Sequence, residues 1–69
     1  MYNIGDIVHG NRSGTFVVVG FRVIEGERWL RLRSVNPIGY EVFGAELALP
    51  PRAVHASRIG GRIDPSVLA

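Results

Sequence analysis

Apolar residues in this chain do not recur at the three-to-four-residue spacing of a helix. They fall in runs of strand length separated by glycine, proline and asparagine, a pattern that predicts an all-β fold. The first run is Ile4 to His9, closed by the loop Gly10-Asn11-Arg12-Ser13-Gly14. The second, Thr15 to Ile24, is rich in β-branched and aromatic residues. Gly20 in its middle predicts a bend or bulge where a small sheet curls. Glu25-Gly26 makes the next turn, Arg28 to Ser34 the third strand, and Asn36-Pro37-Ile38-Gly39 a strong turn signal. Tyr40 to Leu49 reads as the fourth strand, kinked at Gly44, and Pro50-Pro51 ends it because proline cannot donate to a ladder. Arg52 to Ser57 predicts one turn of helix and a short fifth strand. Residues 58–69 have little to bury and read as a mobile tail, leaving residues 1–57 as the single domain.

Two hairpin registers test each other. A four-residue loop at Asn36 to Gly39 sets Leu32 against Phe43 and Leu30 against Ala45. A turn at Glu25-Gly26 sets Val23 against Arg28, Phe21 against Leu30 and Val19 against Leu32. Both send the same side of the third strand inward, and register decides which face is buried. The expected core is Val8, Val17, Val19, Phe21, Leu30, Leu32, Phe43, Leu47 and Val54.

The opposite face of the second to fourth strands then carries Phe16, Val18, Arg22, Trp29, Arg31, Arg33 and Val42. Arg22 sits across from Trp29, within reach of a cation–π contact. A solvated sheet face is normally polar, so a strip mixing tryptophan, phenylalanine and valine with arginine asks for a cover. The candidates are a second copy of the chain, a ligand, or the tail folding back through Ile59, Ile63, Val67 and Leu68.

Composition narrows the chemistry. Of 69 residues, 46% are hydrophobic and 20% charged, too apolar for a disordered chain. There is no cysteine, which removes disulfides and thiolate zinc sites. No apolar run reaches membrane-spanning length, and no basic stretch followed by an apolar one opens the chain, so a cytoplasmic protein without membrane contact is expected. All eight basic residues are arginine against six carboxylates, a formal net charge of +2. Without lysine there is no Schiff-base or P-loop chemistry. Arginine suits phosphates, carboxylates and aromatic faces.

Gly5-Asp6-Ile7-Val8, Ser13-Gly14, Val17-Val18-Val19-Gly20-Phe21 and Leu49-Pro50-Pro51-Arg52-Ala53-Val54 together resemble a five-stranded Src-homology-3-like small barrel. The Gly-Asp-x-Val start, glycine loop and valine-rich strand are similar to the KOW motif of ribosomal and transcription proteins, which implies nucleic-acid binding. The layout is also similar to the plasmid-borne type II dihydrofolate reductases, whose barrels assemble around one shared pore. That family's Val-Gln-Ile-Tyr pore run corresponds here to Glu46-Leu47-Ala48-Leu49, and its lysine has no counterpart. The likeness therefore implies an oligomer more than a reaction.

Candidate catalytic groups are few. His9 and His55 are the only imidazoles, and neither stands at a spacing that assembles a triad with Ser13 or Asp6. No catalytic, metal-binding or cofactor-binding residue is expected. Asp6 reads as a turn former that bonds nearby amides. Trp29 with Arg22, Arg31 and Arg33 is the leading site, either as a self-association or protein-docking face, with the arginines reaching Glu41 or Glu46 of a neighbour, or as a stacking platform for single-stranded nucleic acid. Arg52, Arg58 and Arg62 would add a loose basic footprint to the second reading. A non-enzymatic binding module is the expected function.

Overall fold

The structure is a computed structural model and describes residues 1–57 and 60–68. It is all-β. Strands β1 (Ile7–Gly10), β2 (Thr15–Ile24), β3 (Glu27–Val35), β4 (Val42–Leu49) and β5 (Val54–Ala56) form one antiparallel sheet in the order β4-β3-β2-β1-β5. A 3-10 turn, Pro51–Ala53, leads into β5, and another, Pro65–Leu68, ends the described chain. The β2–β3 hairpin closes on Glu25 and Gly26, both at positive φ, as a two-residue turn matched to strand twist requires.

One face of the sheet buries Val8, Val18, Leu30, Leu32 and Val54, with Tyr2, Phe16, Phe21, Leu47 and Leu49 packed against them. This inner cluster joins both edges of the sheet, since Leu47 and Leu49 come from β4 and Val54 from β5. In a flat sheet those edges would stand roughly 19 Å apart at the usual strand spacing. The sheet is therefore strongly curled. An ion pair ties Arg52, in the 3-10 turn before β5, to Glu27 at the start of β3.

The second strand holds the cause of the curl. Val18 pairs with Leu32 and Gly20 with Arg31, so Val19 is an extra residue in β2, a bulge where Gly20 predicted one. Phe21 opposite Leu30, Arg22 opposite Trp29 and Val23 opposite Arg28 hold as expected. Below the bulge the phase changes. Val18, not Val19, faces Leu32, and Val19 turns to the outer face.

The β3–β4 register also differs. Leu30 meets Leu49 and Leu32 meets Leu47, whereas Phe43 pairs with Ser34 at the hairpin end and is 53% exposed. Two causes combine. The loop is longer than four residues, because Asn36 Oδ1 accepts from the Ile38 amide and Tyr40 takes a left-handed φ of 57°, so pairing resumes at Val35 and Val42. Between Leu32 and Ser34 the partners on β4 run from Leu47 to Phe43, an irregularity that includes Gly44 at φ 77°. The shift is even in residue count, so the inward side of β3 survives while Phe43 leaves the core.

Residues 60–68, within the segment read as a tail, lie against the outer face. Ile63 and Leu68 pack on Ile7, Val17 and Val35 with Val19, Tyr40 and Val42. Backbone bonds fasten the segment: the Ile63 amide donates to Gly5 (2.8 Å), the Ile7 amide to Gly61 (3.2 Å), and Asp6 bridges to Arg62. Tyr40 lies so close to Gly61 that a Cβ there would overlap its ring. Asp6 Oδ2 accepts from the Asn3 amide, as expected of a turn former. Arg58 and Ile59 lie outside the described residues.

Leu32→Ala should cost about 2–5 kcal/mol, because it opens a cavity in the inner cluster. Phe43→Ala should cost less than about 1 kcal/mol, as its ring is largely in water. A chain ending at Ser57 uncovers Ile7, Val17 and Val35 and should unfold at lower urea than the full chain. Urea unfolding checks all three; equal losses at Leu32 and Phe43 would contradict the register.

Candidate functional site

The bulge sorts the candidate residues. Phe16 and Val18 face inward, next to Val8 and Leu32, and do not belong to the outer strip. Val42 is on the outer side but packs with the cluster under Ile63 and Leu68. Arg22, Trp29, Arg31 and Arg33 remain together on the outer face of β2 and β3. Arg22 stands opposite Trp29, yet the cation–π contact that forms is Arg28 over Phe21, 3.8 Å from the ring centroid. The outer face thus has two halves, an apolar one covered by residues 60–68 and a Trp-Arg one left open.

Each side chain of the open half is held from within the chain. Trp29 is half-buried, and its Nε1–H donates to Glu27 Oε1 at 3.0 Å. Glu27 also accepts from Arg52, and these two bonds, the indole first, hold its carboxyl below the ordinary value. Arg31 lies across Gly20, its Nη1 2.8 Å from where a Cβ would stand. A larger residue at position 20 would lift the guanidinium off the strand. From that seat Arg31 grips Glu46 with both arms, Nε to Oε2 at 2.9 Å and Nη2 to Oε1 at 2.8 Å. The pair lowers the Glu46 pKa and raises that of Arg31, with Arg33 and Arg22 adding weaker attraction at Glu46. Arg33 donates through Nε and Nη2 to the Gly44 carbonyl, at 3.0 and 2.8 Å, and so braces the irregular part of β4. Arg22 is exposed and makes no hydrogen bond or ion pair among the described residues.

The result is an ordered surface of one indole and one planar guanidinium, with cations and carboxylates interleaved. Arg31 and Glu46 meet within one chain, where the sequence reading had such arginines reaching a neighbour's carboxylate. The floor at Gly20 and the brace from Glu27 were missed; the register Gly20 opposite Arg31 was the signal for the first. Apolar hollows flank the 3-10 turn, the larger about 380 Å³ and lined by Phe16, Leu49, Ala53 and the β1–β2 loop. Among the described residues no three His, Asp or Glu side chains gather as a metal cluster, and no helix is long and apolar enough to cross a membrane. Comparison of the chain with family models, curated proteins and solved structures returns no match.

The carboxylates supply a test by pH. Glu27 and Glu46 have folded pKa values below the ordinary 4.5. Their stabilising effect is therefore fully present above that value and lost as pH falls through the lowered folded values. Side-chain carboxyl NMR titrations should show both midpoints below 4.5. Gly20→Ala and Arg31→Ala should each raise the Glu46 midpoint and leave Glu27 where it was. A Glu46 midpoint indifferent to both substitutions would contradict the clamp.

Proposed function

We propose that the chain is a non-enzymatic binding module on a Src-homology-3-like small barrel, and that it pairs with a second copy of itself through the Trp29–Arg31 half of its outer face. The supporting resemblance lies in the Gly5-Asp6-Ile7-Val8 start and in the 3-10 turn at Pro51–Ala53 before the last strand. The observation that carries the reading is Trp29, half-buried, pinned through Glu27 and ringed by groups already fixed in place. An aromatic anchor set among ordered charges is the anatomy of an interaction hot spot, and ordering it beforehand lowers the entropic cost of association.

Charge selects the partner. The patch holds an unengaged cation, Arg22, near a carboxylate, Glu46, so it complements itself about a two-fold axis that sets Arg22 of each copy against Glu46 of the other. Nucleic acid fits less well, because the forks of Arg31 and Arg33 that would take phosphates are occupied by Glu46 and Gly44.

Sedimentation from micromolar to millimolar concentration tests the reading. The wild-type chain should associate, and Trp29→Ala should weaken association roughly 30-fold or more, the scale of a hot spot. Arg22→Glu should weaken it as well. A chain monomeric throughout overturns the proposal. So does tight binding of short RNA that falls steeply with salt and vanishes in Arg22→Ala, which would establish a nucleic-acid face instead.

A further inference from the structure

His9 and His55 gave no metal signal as a sequence pair, since they lie far apart and lack a third partner. The β1–β5 ladder changes that. It sets His9 directly opposite His55, so both imidazoles leave the same face of the sheet. Their ring centroids are 5.6 Å apart at an interplanar angle of 40°. Two imidazoles bound through nitrogen to one tetrahedral cation at about 2.0–2.1 Å hold their centroids about 5–5.5 Å apart. The observed centroid spacing is close to that range.

Hydrogen bonding selects the coordinating atoms. Asn11 Nδ2 donates to the Arg52 carbonyl at 2.7 Å, which fixes the amide and turns its oxygen to His55. That Oδ1 is 3.0 Å from His55 Nδ1 and can only accept, so Nδ1 carries the proton and Nε2 keeps its lone pair. His9 Nδ1 lies 3.3 Å from Thr15 Oγ1, a hydroxyl that can accept from Nδ1–H in the tautomer whose Nε2 is free to bind a cation. Among the described residues neither Nε2 has a hydrogen-bond partner. A second layer that engages one ring nitrogen and leaves the other as a donor is the usual support of metal-bound histidine.

We propose that His9 and His55 form a two-histidine site, through both Nε2 atoms, for a late first-row divalent cation such as zinc or nickel. Imidazole pairs favour these ions over magnesium and calcium, which take oxygen ligands. No third histidine or carboxylate joins the pair among the described residues, so the remaining positions are open to water. The cation would clamp the three-residue β5 onto β1, and the native state would be stabilised by mass action.

The test uses the untagged full chain with Zn²⁺ or Ni²⁺ as the probe. Isothermal titration should give one cation per chain with micromolar affinity, and the melting temperature should rise with either ion but not with Mg²⁺. His9→Ala and His55→Ala should each lose tenfold or more in affinity and abolish the thermal shift. Asn11→Ala should weaken binding by about tenfold, with both histidines present. His55 is exposed, so His55→Ala keeps the fold and isolates the ligand effect. No binding up to millimolar cation, or binding unchanged in His55→Ala, overturns the proposal.

Discussion

A single extra residue in β2 decides how the rest of the molecule is arranged. Between Val18 and Gly20 the ladder to β3 slips by one, so Val18 and Phe21 both point inward although three positions apart. An unbroken strand cannot do this, because its side chains alternate strictly. The bulge bends β2 toward its inner side, letting Leu47 and Leu49 of one edge reach the cluster that holds Val54 of the other. It also leaves Val19 and Gly20 together on the outer side. Val19 extends the apolar patch below, and Gly20 provides the bare backbone on which Arg31 lies.

Burial on both faces follows from chain length. A curled sheet of this size encloses few side chains, and the fully buried ones are no larger than leucine. A second cluster around Ile7, Val17 and Val35 uses the outer face as well, roofed by Ile63 and Leu68. In a chain without disulfides, added apolar burial is the available source of stability. No buried polar side-chain atom lacks a partner among the described residues, so the second layer adds apolar contact without stranding a polar group.

Strand periods and turn residues made much of this legible. Thr15–Ile24 has the expected ends, Glu25-Gly26 the expected turn, and the inward side of β3 was read from Leu30 and Leu32. The misses share a cause. Phe16, Val18, Val19 and Phe43 were assigned by counting alternate positions across points where alternation fails, and a bulge's exact residue depends on packing that local sequence does not carry. Gly20 and Gly44 marked both places without giving the direction of the slip. The roof of Ile63 and Leu68 was visible only as an alternative, because its residues are spaced for neither helix nor strand. His9 and His55 were invisible as a pair, since β1–β5 pairing joins segments far apart in the sequence and no local pattern encodes it.

The polar contacts on the open side form one connected line. Trp29 bonds Glu27, Glu27 takes Arg52, the Arg52 carbonyl takes Asn11, and Asn11 holds His55. Exposed links of this kind add little to stability one by one, because water competes for each. Their effect is geometric. Arg52 joins β3 to the turn before β5 through its side chain, and joins that turn to the β1–β2 loop through its carbonyl. The line thus spans the mouth of the curled sheet, where the strands themselves make no ladder between its edges. It sets the rotamers of Trp29 at one end and His55 at the other, the anchors of the proposed docking face and the proposed cation site. Shared orientation does not by itself couple the two sites. Coupling requires an element with two arrangements that both ligands bias. A shared scaffold alone therefore gives the two ends common positioning, not communication.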